Sequence, residues 1–279
     1  MSRRIPMVAK KHLGQHFLRD TGVLDRLVRF IRPAARDVMI EIGAGDGALS
    51  TRLAPRVAHL CAVELDDDCI SRLAAALQPF SNIRIVHADV MALELNRLAD
   101  EILRPGLVLR IIGNLPYNLA TAIIEKLLME SALPVEDMTF MLQQEMAQRI
   151  AAAPGSRDYG YFSVYCRYLC EVAVGFRVSP ACFVPRPKVM SAVIRLRPGR
   201  MERDAAFEAA LVELVKAAFS HRRKTLANSL RLHPSLGGAA GELLFQAGID
   251  GSRRPEQLSV SEYEHLAHTY ICRKALNPS

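Results

Sequence analysis

From about residue 37 the chain alternates short apolar runs with helical patterns. Asp37-Val-Met-Ile-Glu-Ile42 is the first run, and it ends in Gly43-Ala-Gly45-Asp-Gly47. A helical stretch follows, then His59–Val63, then a long helical pattern from Asp66 to Leu77. Ile83–Val86, Leu107–Ile112 and Met138–Leu142 add three more apolar runs. Runs that are apolar at nearly every position are strands buried on both faces, with helices as the cover. The pattern therefore predicts an α/β fold around a parallel sheet. Residues 170–178 and 189–196 read as two further strands. The proline-rich stretch between them, Ser179 to Pro187, is too short for a crossover helix, which predicts an antiparallel hairpin at the sheet edge. Arg197-Pro-Gly-Arg-Met-Glu-Arg203 is polar and turn-rich, and beyond it only helical patterns remain, at 205–219, 222–231, 240–247 and 261–274. The expected division is a domain over 1–200, with a basic N-terminal segment 1–19, and a small helical domain over 201–279.

Composition narrows the class. The chain has 279 residues, half of them hydrophobic and 23% charged, as expected of a globular protein. No apolar run approaches the roughly 18 residues a membrane span needs, and residues 1–11 have no signal-peptide core. A cytoplasmic monomer without membrane contact is expected. The six cysteines are scattered, which predicts free thiols in a reducing compartment and no metal centre. The net charge of +7 is uneven. Residues 1–30 carry seven basic and two acidic side chains, residues 31–150 eleven and sixteen, and residues 177–230 eleven and four. Two basic stretches flanking an acidic middle point to a polyanionic partner, and to a nucleic acid in particular.

The strand 37–42 with its Gly43-x-Gly45-x-Gly47 loop lets a backbone turn tightly against a ligand. Glu64, 21 residues after Gly43 at the end of the second strand, is placed to accept hydrogen bonds from ribose hydroxyls. Asp89, after the third strand, is placed to receive the exocyclic amine of an adenine. Together these strand ends describe an adenosine-shaped pocket. The glycine spacing is not the G-x-G-x-x-G that seats a pyrophosphate. Glu41 near the loop would repel a pyrophosphate and attract the ammonium of an amino acid. S-adenosylmethionine fits both features, so the fold expected is a Rossmann-like methyltransferase sheet with a small C-terminal all-helical domain.

After the fourth strand comes Gly113-Asn-Leu-Pro-Tyr117. This motif suits methyl transfer to an exocyclic amine, a poor nucleophile whose lone pair is delocalised into the ring. The side-chain carbonyl of Asn114 and the backbone carbonyl of Leu115 would accept its two N–H bonds. Pro116 stiffens the turn and has no N–H to compete, and Tyr117 would stack on the base. Catalysis then consists of positioning and electrostatics. A base inside a helix cannot reach such a pocket and must be unpaired or flipped. Phe183, on a proline-stiffened loop, is the candidate second stacking surface, with core packing as its alternative. Lys188 on that loop and Arg222, Arg223 and Lys224, read as part of a basic helix, are the candidate RNA phosphate contacts.

With these residues in hand, the chain closely resembles the ribosomal RNA adenine-N6 dimethyltransferases, and among them the bacterial small-subunit (16S) type. The landmarks are Gly14-Gln-His-Phe-Leu18, Glu41-Ile-Gly-Ala-Gly45, Val63-Glu-Leu-Asp66, Asn114-Leu-Pro-Tyr117, Phe183 to Lys188 with Ser191, and Phe219 to Leu230. The resemblance implies that His16 and Leu18 help close the cofactor site and that Gly43, Glu64, Asp89 and Asn114 line it. It further implies double methylation of two adjacent adenosines in a hairpin loop near the 3′ end of small-subunit rRNA, on a pre-30S particle that the helical domain helps to engage. Four positions depart from the commoner family pattern. His16 stands where Asn is frequent, Ala120 where Ser is, Gln144 where Lys is, and Arg186 where Pro is. The alternatives are a large-subunit rRNA adenine methylase, or a ribosome-assembly or transcription factor on the same fold with little catalysis.

Overall fold

The computed structural model describes residues 15–129, 133–199, 204–221 and 223–276, so most of the basic N-terminal segment lies outside the described residues. The expected α/β pattern forms. A seven-stranded sheet is built from β2 (Asp37–Ile42), β3 (His59–Glu64), β4 (Ile83–His87), β5 (Val108–Asn114), β6 (Val135–Gln143), β7 (Cys170–Val178) and β9 (Ser191–Pro198), in the order β4-β3-β2-β5-β6-β9-β7. β3 pairs parallel with β4 and β2, and β2 with β5; β5 pairs parallel with β6. β9 then runs antiparallel to β6, and β7 lies beyond it at the edge. All six residues of β2 are buried, which is why its sequence lacks the alternation of a half-exposed strand. β3 lies on one side of β2 and β5 on the other, so the crossovers leave β2 in opposite directions. That reversal opens a crevice beyond the carboxyl ends of the strands.

Two elements extend the expected pattern. A two-residue strand β1 (Phe17–Leu18) pairs antiparallel with β8 (Phe183–Val184), in the register Phe17 to Val184 and Leu18 to Phe183. Helix α1 (Thr21–Ile31) follows it. Asp20 caps its N-terminus by accepting from the Val23 amide at 2.8 Å, and Leu24, Leu27 and Ile31 form its buried stripe.

The chain divides into two compact units. One takes Ala173–Pro198 with the chain up to Ala147; the other takes Gln148–Val172 with the chain from Gly199 onward. The second unit thus includes an excursion, 148–172, that a single cut near residue 200 leaves out. Its core shows why: Tyr159 and Val164 pack with Leu211, Leu214, Tyr263 and Leu266 in one apolar cluster. Tyr263 is fully buried, and its hydroxyl donates to the Pro255 carbonyl at 2.9 Å, so that hydroxyl is not stranded in the core.

Cys61, Cys69, Cys166 and Cys170 are buried, Cys182 is half-buried and Cys272 exposed, and none of them is in a disulfide. Burial pushes the Cys61 thiol up to about 11 and the Cys69 thiol to about 12, so both stay protonated and unreactive at neutral pH. Among the described residues no helix is long and apolar enough to cross a membrane, and no group of three His, Cys, Asp or Glu is placed to hold a metal ion.

Candidate active site

A cavity of about 140 Å³ opens at the carboxyl ends of β2, β3 and β5. Gly43, Gly45, Glu64, Asp89, Asn114 and Tyr117 all face it, and so do His16, Leu18, Glu41, Leu115 and Pro116. Of the residues expected to bind a cofactor or position the target, Phe183 is the one placed elsewhere.

Gly45 has φ 59, a left-handed value that favours glycine, and a Cβ there would sit 3.1 Å from the Phe17 ring. The loop can therefore lie directly beneath β1. Gly113 meets a different demand: a Cβ on it would come within 2.7 Å of the Ile42 carbonyl oxygen. Only glycine lets β5 run this close to the end of β2 and deliver Asn114 to the cavity.

Glu64 is buried, and its carboxylate is already engaged. One oxygen accepts from the Leu65 and Asp66 amides at 2.8 and 2.9 Å, and the other accepts from the Gly45 amide at 2.7 Å. A carboxylate oxygen has two acceptor positions. The first oxygen is filled; the second, on the glycine loop, keeps one position. Glu64 thus ties the loop to the end of β3 and retains one acceptor for a ligand hydroxyl. Asp89 is exposed, and its Oδ1 accepts from the Met91 amide at 2.8 Å in a local turn.

Glu41 lies on β2 and is 3% exposed. Ser50 donates to its Oε2 at 2.6 Å. Burial, with the neighbouring Glu64 carboxylate adding to it and the Ser50 bond opposing, pushes the Glu41 carboxyl up to about 8. This corrects the expectation of a standing negative charge: at neutral pH, without a cationic neighbour, Glu41 is mostly a neutral acid. From its usual 4.5 to about 8, the folded chain keeps a proton that the unfolded chain has lost. In that window the unfolded state binds fewer protons, so stability falls as pH rises, by roughly 1.4 kcal/mol per pH unit from this group. Glu41→Gln keeps a neutral side chain of the same shape. Its urea midpoint is expected to fall less steeply than that of the unaltered chain between pH 5 and 8, and equal slopes would refute the assignment.

Asn114 donates its Nδ2–H to the backbone carbonyl of His16 at 2.8 Å. A carbonyl only accepts, so this bond fixes which end of the amide is nitrogen and leaves Oδ1 as the acceptor. Leu115 is buried, and its amide donates to the Met141 carbonyl at 3.0 Å, holding the turn against β6. Tyr117 shares a 2.5 Å hydrogen bond with Ser191 Oγ, a fully buried hydroxyl at the start of β9. Burial raises the Tyr117 phenol above its ordinary value, and the Ser191 bond partly offsets this.

Residues 15–18 line the cavity, and side-chain and backbone bonds fix the segment 15–20 beside it. Gln15 donates to Asp66 at 2.9 Å, and Arg19 pairs with Asp46 of the glycine loop at 2.6 Å. The Arg19 and Asp20 amides donate to the Cys182 carbonyl. Gln15, Arg19, Ser50 and Ser191 supply fixed contacts that motif reading does not assign. Gln15 and Ser191 stand among the landmarks of the family resemblance without an assigned role, and Arg19 and Asp46 are complementary in charge.

Two further expectations are corrected. Phe183 is 2% exposed and packs among Leu18, Leu24, Leu27 and Val178, so it fills the core beside the cavity and presents no open face to a base. Tyr117 is the aromatic residue of the motif that reaches the cavity. The basic stretch expected to be helical is a turn: the helix Leu226–Arg231 begins only after Thr225, whose hydroxyl caps it, and the Lys224 amide donates back to the His221 carbonyl. Arg223 and Lys224 are part of that turn; Arg222 lies outside the described residues. Lys188 and Arg186 are exposed on the loop after β8.

Comparison with known proteins agrees with this geometry. A family model described as ribosomal RNA adenine dimethylase matches residues 7–271. The ribosomal RNA small subunit methyltransferase A of Nitrosococcus oceani is 42% identical over 264 residues, covering 94% of this chain and 96% of its own length. The protein of that name from Chromohalobacter salexigens is 43% identical over 270 residues, covering 96% and 94%. A crystal structure of a dimethyladenosine transferase from Plasmodium falciparum has the same fold, with a TM-score of 0.78 at 19% identity, covering 92% of this chain and 98% of that one. The 23S rRNA methyltransferase ErmE is similar as well, with a TM-score of 0.67 at 25% identity, covering 91% and 98%. Matched along almost its whole length, the chain belongs to the ribosomal RNA adenine dimethylase family.

Proposed function

We propose that the cavity holds S-adenosylmethionine and that the chain methylates the N6 amines of two adjacent adenosines near the 3′ end of 16S rRNA, each twice. The observation that carries this reading is the orientation of Asn114, whose amide nitrogen is engaged by His16 and whose oxygen is left to accept from an amine. The small-subunit target rests on relatives of that name at 42–43% identity over nearly the whole chain. The reading places the protein in the cytoplasm as a monomer that meets its RNA in a pre-30S particle.

The residues present fit the cofactor. Gly45 leaves the space under Phe17 that a Cβ would fill, Glu64 keeps one acceptor for a ribose hydroxyl, and the exposed Asp89 carboxylate suits an exocyclic amine. Glu41 suits an ammonium, because an approaching cation draws its carboxyl toward the ionised form. When bound, S-adenosylmethionine supplies an electrophilic methyl group on a sulfonium centre. Asn114 Oδ1 and the Leu115 carbonyl accept the N–H bonds of the target amine and aim its lone pair, while Tyr117 supports the extruded base. No side chain acts as a strong base; the methylated amine is acidic enough to lose its proton to water. Lys188, Arg222, Arg223 and Lys224 serve as phosphate contacts that position the RNA without reading its sequence. Selection of the target falls to an unpaired loop.

Calorimetry with S-adenosylmethionine tests the pocket. The unaltered chain is expected to bind. Glu64→Ala is expected to bind at least about tenfold more weakly, since it loses the ribose acceptor and releases the Gly45 loop together. Absence of binding by the unaltered chain would sink the enzyme reading, and an unchanged affinity in the variant would sink the role of Glu64.

A further inference from the structure

His16 lines the cavity, and its side chain also reaches the loop after β8. Its Nδ1 lies 2.8 Å from the Pro185 carbonyl oxygen. That oxygen only accepts, so Nδ1 carries the hydrogen and donates. The His16 backbone carbonyl meanwhile receives the Asn114 amide at 2.8 Å. The imidazole ring lies 5.4 Å from the Tyr117 ring at an interplanar angle of 32°. One residue thus touches the amine-accepting Asn114, the base-supporting Tyr117 and the loop that carries Arg186 and Lys188.

We propose that His16 is a positioning residue for methyl transfer, its ring tying the 183–188 loop to the Asn-Leu-Pro-Tyr turn so that Asn114 keeps its orientation. This rests on the reading of the site as an adenine methyltransferase. The backbone at residue 16 follows directly into the pairing of Phe17 and Leu18 with β8, and the His16–Pro185 bond extends that two-residue ladder by one side-chain link. Removing the ring leaves the Pro185 carbonyl without this donor and lets the carbonyl that orients Asn114 swing. It also opens one side of Tyr117, whose far end stays fixed to Ser191.

The chemistry of isosteres gives a sharp test. An asparagine amide nitrogen stands where Nδ1 of histidine stands, whereas a glutamine nitrogen reaches the position of Nε2. His16→Asn therefore restores the bond to Pro185, and His16→Gln does not. Methyl transfer to unmethylated small subunits is measured at saturating S-adenosylmethionine, with cofactor affinity measured separately by calorimetry. In His16→Ala and His16→Gln, kcat is expected to fall about 10–100-fold, the scale of a misplaced reacting group. In His16→Asn it is expected to recover most of that loss; because His16 also faces the cofactor cavity, kcat at saturation rather than affinity is the readout. An unchanged kcat in His16→Ala would overturn the proposal. So would a His16→Asn chain as slow as His16→Ala, or a loss explained wholly by cofactor affinity. Failure of the unaltered chain to transfer any methyl group would instead overturn the functional reading beneath it.

Discussion

Asn114→Ala is expected to lower methyl transfer by about 10²–10³-fold while S-adenosylmethionine still binds. The size follows from the geometry. The methyl-accepting nitrogen is a weak nucleophile, and the proposed mechanism assigns no side chain as a strong base. Orientation of the amine is therefore most of what the protein contributes at the reacting atom. In the proposed reading Asn114 Oδ1 supplies it, with the amide held in place by the His16 carbonyl. The truncated side chain loses the acceptor, and the Leu115 carbonyl alone leaves the amine free to rotate. Glu64 and Gly45 stay joined at 2.7 Å without help from Asn114, so cofactor affinity stays near its original value. Turnover and calorimetry on the same preparation check both halves. Retained turnover would count against the amine-positioning role.

The second large effect lies at the opposite end of the strands. Arg110 on β5 is buried and forms ion pairs with Asp37 on β2 at 2.8 Å and Asp137 on β6 at 2.9 Å. It also donates to the Ile31 carbonyl at 2.6 Å and the Arg32 carbonyl at 3.2 Å, satisfying the C-terminus of α1. Arg110→Met fills similar volume but takes the guanidinium from two buried carboxylates, leaving Asp37 with the Ala34 amide at 2.9 Å and Asp137 with the more distant Arg195 at 3.6 Å. Removing one partner from a buried ion network costs about 3–5 kcal/mol. A urea unfolding series is expected to show a loss of that size, and adding Asp37→Asn and Asp137→Asn should recover part of it. A loss under about 1 kcal/mol, as for exposed pairs, would show that the network is not desolvated as described.

Much of this arrangement can be read from residues in order. The strands at 37–42 and 170–178 and the helix at 205–219 lie where the apolar pattern puts them; at 37–42 every position is buried, so no polar alternation confuses the reading. Helix α1 carries signals of its own, Asp20 as cap and Leu24, Leu27 and Ile31 as stripe, but its short pattern precedes the repeating run of strands. The β1–β8 pair is not legible: two residues carry no period, and Phe17 and Val184 meet only through the tertiary fold. The 148–172 excursion belongs to the same class, since an apolar helix does not say which core it enters. Glu64 is legible as a strand-end acid, yet its three backbone donors depend on how the glycine loop and the turn after β3 converge. Phe183 shows the limit most plainly. An apolar side chain on a stiff loop serves a core or a ligand equally well in sequence, and here it lies among Leu18, Leu24 and Val178. The uneven charge keeps its meaning in part: the acidic middle holds the carboxylates of the cavity, and Lys188 and Lys224 of the later basic stretch are exposed.

The central claim is that this chain dimethylates adjacent adenosines of small-subunit rRNA. Incubation of the protein and S-adenosylmethionine with unmethylated small subunits, followed by reverse transcription of the 16S rRNA, tests it most directly. An N6,N6-dimethyladenosine has no N–H left to present on its Watson–Crick edge and blocks the copying enzyme. The account predicts cofactor-dependent stops at two neighbouring adenosines near the 3′ end, absent with Asn114→Ala. Full-length copying with the unaltered chain, or stops confined to large-subunit RNA offered in the same way, would contradict it.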